Sequence, residues 1–300
     1  TFTTFHVGRT FVCTDLSKTP KEWRFNFGKA FPTTHAINPY TASPTGLDVI
    51  LGFSTGDLVW IEPFSDRYHR INKQGVMTSS AVTGIQWLPR SADMFMSSHA
   101  NGEILIFHKD REDDPHTSSP LSSGTTGKHE DGRDLRYKLP HDSSTPASSF
   151  TRRASLVNRP SRQNPVTRWR LGRSPITAFQ FSPDGRWLAV TSMDGTLKLI
   201  DFVEERLTDV FRGYFGALTC LSWSPDGRYI ITGGQDDLVS VWSAKERRLV
   251  TRGEGHRSWV SSVAFDPTLC TADRYRFGSV GEDSFLCFWD FSVASLNRAK

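Results

Sequence analysis

The sequence is poor in the residues that build covalent or metal frameworks. Its 300 residues include only four cysteines, Cys13, Cys220, Cys270 and Cys287, far apart and with no Cys-x-x-Cys pair. That distribution argues against a disulfide scaffold and a structural zinc site and reads as reduced thiols in an intracellular, cytoplasmic or nuclear protein. No apolar run reaches the ~18 residues needed to cross a membrane, and no signal peptide is visible. The phosphate-cradling Gly-rich loop, His-Glu-x-x-His and Gly-x-Ser-x-Gly are all missing, so nothing specific points to an enzyme, a metal or a cofactor. A net charge of +4 is too small to argue for nucleic acid. The chain begins at Thr1 without Met and stops at Lys300 in mid-pattern, which reads as a fragment whose last repeat lies further on.

Aromatic residues are plentiful, with 21 Phe and 9 Trp, and they recur in a phrase. An aromatic residue or Ile, one further residue, then Pro is found at Ile37-Asn38-Pro39, Trp87-Leu88-Pro89, Phe181-Ser182-Pro183, Trp223-Ser224-Pro225 and Phe265-Asp266-Pro267. The last three prolines are 42 residues apart. Two copies align without gaps, Phe181-Ser-Pro-Asp-Gly-Arg-Trp-Leu-Ala-Val with Trp223-Ser-Pro-Asp-Gly-Arg-Tyr-Ile-Ile-Thr. Each gives a strand, a Ser-Pro-Asp-Gly turn, a second strand, a Gly/Asp turn and a third strand. A period of ~40–45 residues with Gly-His and Trp-Asp signals predicts an all-β WD40 β-propeller of four-stranded blades. Five blades are clear, and seven are expected in the intact ring. Blade one runs from about Thr33 to Pro63 and blade two from Ala81 to Lys109; the others centre on Pro183, Pro225 and Pro267. Trp23–Phe27 reads as an extended strand able to close the ring, and residues 1–16 as a further strand.

The domain reading is 1–110 for the first part of the propeller, 111–166 for an insertion and 167–300 for blades three to five. The insertion is rich in Ser, Thr, Pro, Arg and Asp with little aliphatic periodicity, so it is expected to be a disordered loop. It falls between the third and fourth strands of blade two, whose outer strand resumes at Thr167–Leu171. From Phe150 to Arg173 there are seven Arg and no acid. Arg152-Arg153-Ala154-Ser155 looks like a basophilic kinase site, with Ser155 the candidate phosphosite; a solvated basic loop is the plainer reading.

Repeat five holds Gly255-His256, Ser279, Asp283 and Trp289-Asp290, the spacing of a hydrogen-bonded His–Ser–Asp–Trp tetrad that locks turn to strand. Repeat four keeps Thr232, Asp236 and Trp242 but carries Tyr214 in place of the histidine, and repeat three keeps only Asp194. A hydrolytic triad is disfavoured, because these residues fall on the repeat register without a nucleophile elbow. Two loops between an outer strand and the next inner strand carry large aromatics, Gly213–Ala217 and Gly255–Val260. Tyr214, Phe215, Arg257 and Trp259 are therefore candidate partner-binding residues, against the alternative that the rings pack between blades.

Several phrases resemble one subgroup: Leu51-Gly-Phe-Ser-Thr-Gly56 with Glu62-Pro63, Tyr214-Phe-Gly216 leading into Trp223–Trp242, Gly255-His-Arg-Ser-Trp-Val260, and Tyr275–Asp283. They are similar to the WD-repeat activators of ubiquitin-specific proteases, above all the fungal carbon-catabolite-repression members. The resemblance covers roughly residues 46–110 and 165–292. It implies a non-catalytic protein, monomeric within a hetero-complex, that docks on and stimulates a CreB-like deubiquitinating enzyme, with Phe215 and Trp259 on the protease-binding surface. Animal members carry a long insertion between the Phe-Asp-Pro turn and the Tyr-Arg-Phe strand. Here only Thr268–Arg274 separate the two, so any role of that insertion is not carried over. A generic adaptor that reads peptides or phosphopeptides, and nucleic-acid binding through the Arg-rich insertion, remain the alternatives.

Overall fold

The computed structural model describes residues 2–16, 21–114 and 163–295, together with the backbone of 135–136 and 149–154. The described residues form strands and two single-turn 3-10 helices, with no α-helix among them. They divide into two compact units, Thr1–Arg173 and Ser174–Lys300.

In the first unit, β1 (Phe2–Val7), β2 (Thr10–Asp15) and β3 (Glu22–Asn26) make a three-stranded antiparallel sheet. Trp23–Phe27 is thus the last strand of a sheet of its own, a sixth blade-like layer beyond the five expected from the repeat phrase. β4 (Pro32–Ile37), β5 (Val49–Phe53), β6 (Leu58–Glu62) and β7 (Arg67–Ile71) form the next sheet. Its outer strand carries blade one to Ile71, past the Pro63 limit read from sequence. β8 (Val82–Trp87), β9 (Met94–His99) and β10 (Glu103–His108) follow.

The insertion then interrupts the third sheet. β11 (Glu112–Asp113) pairs in parallel with β14 (Gln163–Asn164), while β12 (Leu135–Arg136) and β13 (Ser149–Ala154) extend the sheet beyond β15 (Thr167–Arg170). β15 pairs with β10 through Glu103↔Arg170 and Ile106↔Thr167. Thr167–Arg170 therefore belongs to the first unit rather than to the segment from 167 onward. Parts of 111–166 read as disordered carry backbone pairing, and Ser155 lies outside the described residues.

The second unit has β16 (Ile176–Phe181), β17 (Trp187–Ser192), β18 (Thr196–Asp201) and β19 (Arg206–Arg212) in one sheet, and β20 (Leu218–Trp223), β21 (Tyr229–Gly234), β22 (Leu238–Ser243) and β23 (Arg248–Glu254) in the next. β24 (Val260–Phe265), β25 (Arg274–Gly281) and β26 (Leu286–Ser292) complete it as a three-stranded sheet.

Successive sheets within a unit pack face to face, so their middle strands are buried on both sides and read as continuous apolar runs. Val239, Val241, Val260, Val263 and Phe277 fill one such layer between neighbouring sheets, and Leu197, Leu199, Leu218, Trp223 and Ile230 fill another. Hydrogen bonds at repeat-equivalent positions stitch the sheets together. Thr177 Oγ1 donates to the Leu218 carbonyl at 2.6 Å, Thr219 Oγ1 to the Val260 carbonyl, and Thr33 Oγ1 to the Val82 carbonyl at 2.7 Å. The aromatic residue before the Pro has a matching role: Trp223 Nε1 donates to the Gln180 carbonyl at 3.0 Å and Trp87 Nε1 to the Ala36 carbonyl at 3.1 Å.

The Ser-Pro-Asp-Gly turns explain why that phrase repeats. Ser224 Oγ donates to Asp226 at 2.7 Å and accepts from the Tyr229 amide at 2.9 Å, while Gly227 sits at φ 71°. Ser182, Asp184, the Trp187 amide and Gly185 at φ 76° reproduce the arrangement. The glycine is needed because other residues resist that left-handed backbone.

Candidate functional site

Apart from Ser155, which lies outside the described residues, the candidate residues belong to the second unit, in and around the loops at one end of its sheets. There the loops entering β20 and β24 meet the turns between the second and third strands of each sheet. The Gln235 amide donates to the Ala217 carbonyl at 2.9 Å, and the Glu282 amide to the Trp259 carbonyl at 2.9 Å. The Met193 amide donates to the Pro175 carbonyl at 2.9 Å, and the Gly213 amide to the Gly195 carbonyl at 2.8 Å. Loops and turns therefore share a hydrogen-bonded backbone surface.

In the last sheet the four tetrad residues form one chain of bonds. Trp289 Nε1 donates to Ser279 Oγ at 2.8 Å, and Ser279 Oγ lies 2.7 Å from His256 Nε2. The Asp283 carboxylate, 3.0 Å from Nδ1, can only accept, so the neutral ring carries its proton on Nδ1 and Nε2 accepts from the Ser279 hydroxyl, which itself accepts from the indole. Desolvation pulls the Asp283 pKa upward, but the amides of Arg257 and Phe285 and the His256 ring outweigh it and hold the carboxyl below its usual range. One carboxylate thus fastens the His256 ring, the start of the Arg257–Trp259 loop and the turn at Phe285.

The sheet before it has only part of this set. Trp242 Nε1 donates to Thr232 Oγ1 at 2.9 Å, and Asp236 Oδ1 accepts from the Leu238 amide at 3.3 Å. Asp236 Oδ2 is buried without a hydrogen-bond partner. Tyr214, at the histidine position, points outward at 72% exposure, with the Arg252 guanidinium 5.4 Å from its ring centre. The loop is held instead by Gln235, whose Oε1 accepts from the Ala217 amide at 3.0 Å.

One sheet earlier, Asp194 accepts from Ser192, from Thr196 and from Lys198, whose ammonium is buried. Burial lowers the Lys198 pKa while Asp194 works against that shift. Lys198 was not foreseen from sequence, since nothing marks one lysine of a strand as inward-facing until the register is known.

The two loops leave their aromatics exposed rather than packed between sheets: Phe215 is 73% and Trp259 46% accessible. Arg257 is exposed beside them. Sequence reasoning missed two further exposed apolar residues at this end, Met193 and Phe285, and the loop-fastening role of Gln235. Their signal was available in the repeat register, because Met193, Gln235 and Glu282 occupy one turn position and Phe285 closes its turn. Among the described residues no group of three or more His, Cys, Asp or Glu is arranged to hold a metal, and no helix is long and apolar enough to cross a membrane.

Repeating antiparallel blades, stitched at equivalent threonines and carrying a His–Ser–Asp–Trp network, define a WD-repeat β-propeller protein. The WD domain, G-beta repeat family matches residues 164–201, 205–243 and 247–290, and the chain belongs to the WD-repeat proteins. It is 43% identical over 279 residues to the UBP9-binding protein bun62 of Schizosaccharomyces pombe, an alignment covering 92% of the chain. The chain spans about half, 49%, of the length of that relative.

Proposed function

We propose that this chain is a non-catalytic platform that binds a ubiquitin-specific protease and activates it. The loops Gly213–Ala217 and Gly255–Val260 supply the contact. The observation that carries this reading is the pair of large rings, Phe215 and Trp259, held exposed by fixed backbone at one end of adjacent sheets. Rigid, exposed aromatics beside an arginine have the composition of interface hot spots. The likeness to a UBP9-binding protein supports a protease of that class as the partner. Activation needs no chemistry from the propeller, since tighter binding to the protease's competent conformation shifts its population. The finer reading is an intracellular complex, cytoplasmic or nuclear, of one copy of this protein with a CreB-like protease, acting in carbon catabolite repression.

The test pairs the full-length protein with the cell's ubiquitin-specific proteases, by pull-down and by turnover of a fluorogenic ubiquitin substrate. Binding and a rise in turnover are expected. Phe215→Ala with Trp259→Ala should weaken binding by about a hundredfold or more, with the thermal midpoint unchanged. Undiminished affinity in that double variant would overturn the site, and no binding to any such protease would overturn the function.

A further inference from the structure

The second unit exposes large apolar side chains unevenly. Four aromatic or Met side chains other than Trp259 are accessible at or near the loop end: Met193, Tyr214, Phe215 and Phe285. Of the unit's other exposed apolar residues, Val203, Leu269 and Val280 are aliphatic, and Leu286 and Phe288 carry no such meaning. The last two hold the strand positions that Val239 and Val241 hold in the preceding sheet, where packing of the next sheet buries them. Phe285 is different. Phe285 directly precedes β26, and continuing the alternation of that strand puts it on the face of Cys287 and Trp289, where the Trp289 ring lies over Gly253 of β23 and Gly255 of the loop that follows. The counterpart of Phe285 in the preceding sheet, Leu238, stays partly accessible although a further sheet covers its neighbours.

The turn that bears Phe285 is fastened to the Trp259 loop at two points. The Glu282 amide donates to the Trp259 carbonyl at 2.9 Å. The Asp283 carboxylate accepts from the Phe285 amide at 3.1 Å with Oδ1 and from the Arg257 amide at 2.8 Å with Oδ2. Phe285 is 53% exposed, and at Ser284 the backbone turns through φ 65° to present it. Two rings held this way lose little freedom when a partner covers them, which is the condition for a tight contact.

We propose that Phe285 is a further partner-contact residue that forms one apolar tip with Trp259, and that Asp283 is the residue that positions both. The inference rests on the protease-binding reading above. The surface fits a hollow on the protease lined by aliphatic or aromatic side chains, with a carboxylate at its rim to meet Arg257. Because the tip is built on the repeat-five turn, it sets a boundary to the docking surface that the two entry loops alone do not define. It also gives the tetrad a second role, since its aspartate fastens surface loops as well as the core histidine.

The experiment measures the affinity of the full-length protein for the ubiquitin-specific protease by biolayer interferometry. It compares the unaltered protein with Phe285→Ala, Phe285→Gln, Phe285→Tyr and the Phe215→Ala/Trp259→Ala pair, each checked for an unchanged thermal midpoint. The expected result is about a tenfold loss for Phe285→Ala and Phe285→Gln, with Phe285→Tyr close to the unaltered protein. A photoreactive phenylalanine analogue at position 285 should also crosslink to the protease. Affinity within twofold for both Phe285→Ala and Phe285→Gln, with the Phe215/Trp259 pair still weakening binding by about a hundredfold or more, overturns the role of Phe285 and leaves the docking loops standing. No effect from any of these variants removes the docking site as a whole.

Discussion

The sheets β20–β23 and β24–β26 stand side by side in one unit, were read from the same 42-residue repeat, and solve the same mechanical problem differently. In the second, a histidine at position 256 joins Asp283 to Ser279 and Trp289, and the carboxylate reaches on to the backbone of both surface turns. In the first, Tyr214 replaces that histidine, the Thr232–Trp242 bond survives alone, and one oxygen of Asp236 is left buried without a partner. An unpaired buried acceptor is costly, so the sheet gives up stability at this position. What it gains is an aromatic ring on the surface beside Phe215. Repeat position constrains the core partners tightly, whereas the residue nearest the loop can be exchanged for one that serves a surface.

That contrast can be broken experimentally. Ser279→Ala removes the hub of the complete network and leaves the buried His256 Nε2 and the half-buried Trp289 Nε1 without partners. A loss of about 3 kcal/mol is expected from denaturant midpoints; a loss below about 1 kcal/mol would show that the network contributes little.

A histidine outside both sheets sharpens the comparison. His99 is buried, with Nδ1 donating to the Ser80 carbonyl at 3.0 Å and Nε2 2.8 Å from Ser97 Oγ, and burial lowers its pKa from 6.5 to about 4. The unfolded chain therefore takes up a proton near pH 6.5 while the folded chain does not. His99 supports full stability above that pH and loses up to about 3 kcal/mol as pH falls towards 4. His99→Gln should remove this slope in pH-dependent unfolding. The depressed Asp283 carboxyl acts in the same direction but only further down, as pH falls from the ordinary carboxylate range through its folded pKa.

Thr232→Val, which keeps the shape and removes one hydroxyl, should cost about 1 kcal/mol in the incomplete sheet, because only the Trp242 indole loses its partner. Equal costs for Thr232→Val and Ser279→Ala would erase the distinction between the two sheets. The smallest expected change has the opposite sign. Tyr214→His offers the missing link between Asp236 and Thr232 and should raise stability by about 1 kcal/mol, at the cost of one exposed ring. A variant that is no more stable would mean that the loop cannot carry a histidine inward.

Much of this architecture was legible in the residues. Ser-Pro-Asp-Gly repeated at one spacing fixes a turn whose hydroxyl, carboxylate and glycine each have a defined bond or backbone angle, so the strands on either side follow. His256, Ser279, Asp283 and Trp289 could be paired on paper because their separation equals the distance between fixed points of a repeat. The N-terminal sheet is harder to read, because β1–β3 lack the aromatic-x-Pro phrase, and the sequence offers only a ring-closing strand at Trp23–Phe27 and a further strand within residues 1–16. The insertion differs in part from its disordered composition: β13 joins β15 by main-chain bonds, which composition does not register.

By itself, then, the sequence determined the repeat, the blade type, the tetrad and the two aromatic loops, since these depend on local turns and on spacing along the chain. Only the tertiary structure decided that Lys198 lies inward against Asp194, that one oxygen of Asp236, Oδ2, has no hydrogen-bond partner, and that Tyr214, Phe215 and Trp259 face outward. It also decided that Phe285 stands on the turn fastened to the Trp259 loop. The physical reason is that burial and orientation depend on which sheet lies against which face, and that is settled by packing between residues far apart in the chain.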